Sequence, residues 1–93
     1  MTIELETSLA EFDAEASKAF AGRFVGILND AAVALLTSVG HQTGQSETLA
    51  GLPAATSEQV ADASNLNERY VREWLGGMTA ARVVHYNPAD GTY

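Results

Sequence analysis

A mainly α fold is predicted by three features of this 93-residue sequence. One long stretch carries apolar residues at helical spacing, two short helical stretches follow around a turn signal, and a brief β-like tail closes the chain. Together they describe a winged helix-turn-helix with a long N-terminal helix and a truncated β-wing.

Residues 1–17 are polar and weakly periodic and read as a flexible arm; residues 18–93 form the folded domain. Over residues 15–39, Phe20, Phe24, Ile27, Leu28, Ala31, Leu35 and Val39 recur at steps of three and four, the stripe of an amphipathic helix. Gly40 is its expected C-terminal cap. At 1.5 Å per residue such a helix spans roughly 37 Å, longer than a small domain needs to cover its core, so part of it should project. A second set of small and apolar positions leaves room for a partner. Gly22, Val25, Gly26, Asn29, Ala32 and Leu36 make a candidate dimer seam, the glycines allowing close approach and the amide fixing register.

Residues 41–55 hold one brief helix between turns marked by Gly44, Gly51 and Pro53. Thr56 with Gln59 three residues later has the capping-box pattern and starts a helix of about eight residues. Asn65 occupies the place where the turn wants a left-handed residue. Asn67 then caps a helix over residues 68–81, with Val71, Trp74, Leu75 and Met78 as its buried stripe and Tyr70 expected to join the packing. Its opposite face presents Arg69, Arg72, Glu73, Gly76, Thr79 and Ala80. Residues 83–86 read as a strand, 87–91 as a turn with Gly91 at positive φ, and 92–93 as the start of a return strand. That return strand is too short to complete a wing, so the chain is expected to be a fragment of a longer one.

Composition narrows the function. Twelve acids against five bases give a net charge of −7 with no cysteine, which removes disulfides and thiolate chemistry and opposes the gripping of a polyanion. No nucleic-acid partner is expected. The acidic start lacks a basic flank and an apolar segment, and no unbroken apolar run approaches a membrane span, so a cytoplasmic protein with no membrane partner is expected. His41 and His85 have no companion at metal or triad spacing, and no catalytic, cofactor-binding or metal-ligating residue is assigned.

Three segments, AFAGRFVGILNDAAVALLTSVGHQTG (19–44), LAGLPAATSEQVADASNLNERYVREWLGGM (49–78) and VVHYNPADGTY (83–93), resemble the N-terminal winged-helix region of a bacterial family of class I S-adenosylmethionine-dependent methyltransferases. The chain departs from that pattern at Gln45 and Ser46, where an apolar pair is usual, and at Asn65, where glycine is usual. The resemblance implies dimerisation, which the two-sided apolar pattern assigns to the long helix as a homodimer, and a role in enclosing a small-molecule substrate; His41 reads first as a structural or solvated residue at a helix end and, in the alternative, as substrate-facing in the parent enzyme. It also implies a Rossmann-like catalytic domain elsewhere in the parent enzyme, which would bind S-adenosylmethionine; this chain alone is expected to hold no cofactor and no activity. The alternative reading is the DNA-binding domain of a winged-helix transcriptional regulator.

Overall fold

The computed structural model describes residues 12–93, which form four α-helices: α1 Ala14–Thr43, α2 Gln45–Gly51, α3 Ser57–Ser64 and α4 Glu68–Ala80. Most of the predicted arm lies outside the described residues, but residues 14–17 already belong to α1. Contacts divide the chain into two units, Met1–Asp30 and Ala31–Tyr93.

In the first unit the described residues are helical from Ala14. The Asp13 carboxylate accepts hydrogen bonds from the backbone N–H groups of Glu15 (2.9 Å) and Ala16 (3.2 Å), satisfying donors that a helix start leaves free. Phe20 and Phe24, one turn apart, stack with ring centroids at 6.0 Å.

The second unit is built around α3 and α4. Ala55, Val60, Ala61, Val71, Trp74, Leu75 and Met78 are its buried core, with Leu36, Leu49, Leu52, Leu66, Val84 and Tyr93 packed at its margin. The buried stripe expected on α4 is therefore the one that folds inward. Tyr70 is not part of it: the residue is 67% exposed, because its helical position points away from the line through Val71, Leu75 and Met78.

The cap signals are formed as their chemistry requires. Thr56 Oγ1 accepts from the Gln59 N–H at 3.2 Å while Gln59 Oε1 accepts from the Thr56 N–H at 2.9 Å, a reciprocal capping box that opens α3. Asn65 closes α3 in the left-handed region at φ 55°, and Asn67 opens α4 by accepting from the Arg69 N–H at 2.9 Å. Ser57 joins the two helices, donating its hydroxyl to Glu68 at 2.6 Å.

Gly40 does not end the long helix. The helix runs on to Thr43, and Gly44, at φ 78°, makes the turn into α2. Gly40 is instead buried against an indole: a Cβ there would meet Trp74 Cε2 at 2.9 Å and Ser46 Oγ at 2.6 Å. Its role is close packing, not termination.

The expected strand at residues 83–86 is absent from the described structure. Residues 87–92 form a turn closed by a single antiparallel bridge, in which the Asn87 N–H donates to Thr92 O at 2.8 Å and Gly91 takes φ 70°. The last residue pairs elsewhere. Tyr93 exchanges two backbone hydrogen bonds with Ala55, at 2.8 and 3.3 Å, and rests its ring on Tyr86 with centroids 4.8 Å apart. Val83 and Val84 bond instead to the Met78 carbonyl, which uses up the donors a strand would have offered.

Candidate functional site

The residues most able to meet a partner lie on the exposed faces of α4 and α1. On α4, Arg69, Tyr70, Arg72, Glu73, Gly76 and Ala80 are exposed and Thr79 is half-buried, close to the face expected from sequence. Each arginine on it is engaged along the helix. Arg69 Nε lies 3.5 Å from Glu73 and Arg72 Nε 3.5 Å from Glu68, both at i,i+4 spacing. Such exposed pairs add only a few tenths of a kcal/mol each to stability. Each pair also sets a carboxylate beside a guanidinium, so the two arginines and two glutamates leave this part of the face without net charge.

Glu68 collects several charges at the junction of α3 and α4. It accepts the Ser57 hydroxyl and pairs with Arg72, and Glu58 and Tyr93 stand close to the same group of charges. A hydrogen bond from its own backbone N–H, in the first turn of α3, holds the Glu58 carboxyl below its usual range, with Thr56 and Ser57 hydroxyls adding to the effect. Burial pushes the Tyr93 phenol up.

On α1 the structure separates residues that the sequence grouped. Within the second unit, Val33 and Leu36 are half-buried and Gly40 is buried, while Leu35 and Val39 are exposed. Leu36 is tied into the domain core: its carbonyl accepts the Trp74 indole N–H at 2.8 Å, and its side chain fills the space over Gly77, where a Cβ would lie 2.7 Å away. Leu35 and Val39 of the amphipathic stripe are therefore outward-facing, while Leu36, one of the expected seam positions, packs within its own unit. Of the other seam positions, Gly22, Val25, Asn29 and Ala32 are exposed and Gly26 is half-buried, and nothing approaches a Cβ built at either glycine. The inward line is set by contacts with α4, which periodicity within α1 does not encode; Gly40, in step with Val33 and Leu36, was its only local signal.

His41 lies exposed in the last turn of α1, and its backbone carbonyl accepts from the Gly44 N–H at 3.3 Å. Gln45, one of the two departures from the apolar pattern, is buried: its amide donates to Thr43 Oγ1 at 2.8 Å, and its Oε1 has no partner. Ser46 is half-buried beside Gly40. Among the described residues no group of three or more His, Cys, Asp or Glu side chains is placed to hold a metal ion.

By length and composition alone α1 could cross a bilayer, since it contains an 18-residue window of mean hydropathy 1.5, none of it buried. The sequence expectation overlooked this because charged residues interrupt the run. Arg23 and Asp30 would each cost about 2.5–3.5 kcal/mol at the centre of a spanning helix, so length and composition are weak grounds for a membrane span.

A search of curated proteins finds no match. The family described as the Rv2258c-like winged HTH domain matches residues 31–93, the span that holds the end of α1, the helix-turn-helix and the closing turn. With more than half its length matched and the helices in place, the chain belongs to the Rv2258c-like winged HTH domain family.

Proposed function

We propose that this winged helix is a protein-interaction module, the dimerisation and substrate-enclosing domain of an S-adenosylmethionine-dependent methyltransferase. The observation that carries the reading is the pairing of Arg69 with Glu73 and Arg72 with Glu68 on the face that a DNA reader would set in the major groove. Specific groove contact needs Arg, Lys, Asn or Gln side chains free to reach base edges, and affinity needs cations free to displace counterions. Here the two central arginines already face carboxylates, in a chain of net charge −7. The exposed apolar side chains of α1 supply a different kind of surface, suited to protein contact. The methyltransferase part of the reading draws on the sequence resemblance described above. It assigns S-adenosylmethionine and the chemistry to a Rossmann-like domain of the parent, and gives this chain the work of pairing subunits and roofing a small-molecule site near His41. A truncated β-wing belongs to the same reading, with residues 87–93 as its turn.

The helix-turn-helix topology equally suits a DNA-binding regulator, and Arg82, exposed at φ 63° just beyond α4, gives that second reading a cation outside the two ion pairs. Anisotropy titration on random duplex DNA, followed by selection, separates the two. The expected result is non-specific binding weaker than ~100 μM at physiological salt, with no enriched sequence. An enriched motif that is lost in the Arg69→Ala, Arg72→Ala double variant would overturn the interaction reading in favour of the regulator.

A further inference from the structure

Residues 31–43, the part of α1 that belongs to the second unit, are attached to that unit by few groups. Its buried core is drawn from residues 55–78, and residues 31–43 reach the core only at its margin, through Leu36. Gly40 is buried but brings no side chain. Across the contact the Leu36 carbonyl accepts the Trp74 indole N–H at 2.8 Å, and the Leu36 side chain lies over Gly77. Leu75, Val60 and Val71, the side chains most completely buried, all belong to α3 and α4. Local stability follows buried apolar contact, so residues 31–43 have less to lose on opening than α3 and α4 do.

A buried amide sits at the foot of this segment. Gln45 is 4% exposed. Thr43 gives its hydroxyl proton to the Val39 carbonyl at 2.7 Å, so its oxygen can only accept, and it takes an N–H of Gln45 at 2.8 Å. That fixes which way the amide points. Gln45 Oε1 is left buried, with no donor among the described residues. Such an oxygen gave up water on folding without gaining a partner, and it recovers water whenever Thr43 and the segment behind it move away. Gly44 lies between the two residues. It stands at φ 78° with nothing within 4 Å of a Cβ built there, so the backbone can turn at this point without obstruction.

We infer that residues 31–43 form a strap that opens from the helix-turn-helix as one piece, hinged at Gly44, while α3 and α4 stay folded, and that the unpartnered Gln45 oxygen sets how often it opens. Opening uncovers the Trp74 indole, which the closed form holds 4% exposed.

Hydrogen exchange on the whole chain, followed by nuclear magnetic resonance, tests the strap directly, because the Trp74 indole N–H bonds across the contact and the backbone amides of α4 do not. In the unaltered chain the indole N–H should be at least about tenfold less protected than the Leu75 amide, which exchanges only when α4 itself unfolds. Gln45→Leu removes the unpartnered oxygen and should raise indole protection roughly five- to a hundredfold; Gln45→Met, closer in shape, should act in the same direction. Thr79 Oγ1 is also buried without a partner, but within α4. Thr79→Val should therefore slow exchange at the Leu75 amide and leave the indole N–H as it was. An indole N–H as strongly protected as the Leu75 amide would mean that the contact opens only when the whole unit unfolds, and would overturn the strap. Indole protection unchanged or weakened in both Gln45 variants, or raised as much by Thr79→Val as by Gln45→Leu, would overturn the role given to Gln45.

Discussion

Replacing Gly40 with alanine should destabilise the domain even though the same change elsewhere in α1 should stabilise it. In an exposed helix interior, alanine is better than glycine by roughly 0.5–1 kcal/mol. At Gly26 a Cβ meets nothing within 4 Å, so that gain should appear in full. At Gly40 the new methyl would lie 2.9 Å from Trp74 Cε2 and 2.6 Å from Ser46 Oγ. Trp74 cannot swing aside freely, being 4% exposed and held by its indole hydrogen bond to the Leu36 carbonyl. Overpacking of this kind costs about 1–3 kcal/mol, and loss of the indole bond adds about 0.5–1.5 kcal/mol. After subtracting the helix gain, Gly40→Ala should lose about 0.5–4 kcal/mol, lowering Tm by about 4–8 °C for each kcal/mol in a domain of this size. Gly26→Ala should raise it by about 2–8 °C. Far-ultraviolet circular dichroism melts at one fixed protein concentration would measure both. Equal or greater stability of Gly40→Ala than of Gly26→Ala would refute the assignment of Gly40 as a packing glycine.

Other perturbations probe separate parts of the fold. Thr56→Ala removes the hydroxyl half of the capping box and should cost about 1 kcal/mol, seen as a lower urea midpoint with unchanged slope. Trp74→Phe keeps an aromatic ring but forfeits the bond to Leu36 and part of the core volume; a loss of about 1–3 kcal/mol in urea unfolding is expected. Because the Glu58 carboxyl is held below its usual range in the fold, its contribution is complete above the unfolded value and disappears as pH falls through the lower folded value. Urea midpoints taken from about pH 7 down to about pH 3 should therefore fall less steeply for Glu58→Gln than for the unaltered chain.

What the sequence made legible was local. The capping box at Thr56 and Gln59, the left-handed Asn65 and the Asn67 cap each involve residues two to four apart, so their chemistry is visible without knowing the rest of the fold. The stripe of α4 was legible because its four core positions share one face and the alternative face is charged. The long helix was harder, since both of its sides are apolar or small. Which side turns inward depends on Trp74 reaching the Leu36 carbonyl across 38 residues, a contact that no spacing within α1 reports. Gly40 misled for the same reason: a glycine after an apolar stripe has the composition of a helix stop, and its burial under an indole is visible only once α4 is in place. Tyr70 misled because aromatic size suggests burial while position on the helix decides it. The strand at residues 83–86 failed because its β-branched residues close the C-terminal turn of α4, where the Met78 carbonyl takes their N–H groups.

Trp74 is the chain's single tryptophan, and it lies between the end of α1 and α4 with its N–H bound and its ring almost wholly shielded. Its emission is therefore an optical gauge of one joint. Held in place, the indole should fluoresce at the short wavelengths of an apolar surrounding; release of residues 31–43 from the helix-turn-helix should shift that emission to the red. Stopped-flow recordings on the unaltered protein can thus time the closing of this joint, independently of the helix content seen by circular dichroism.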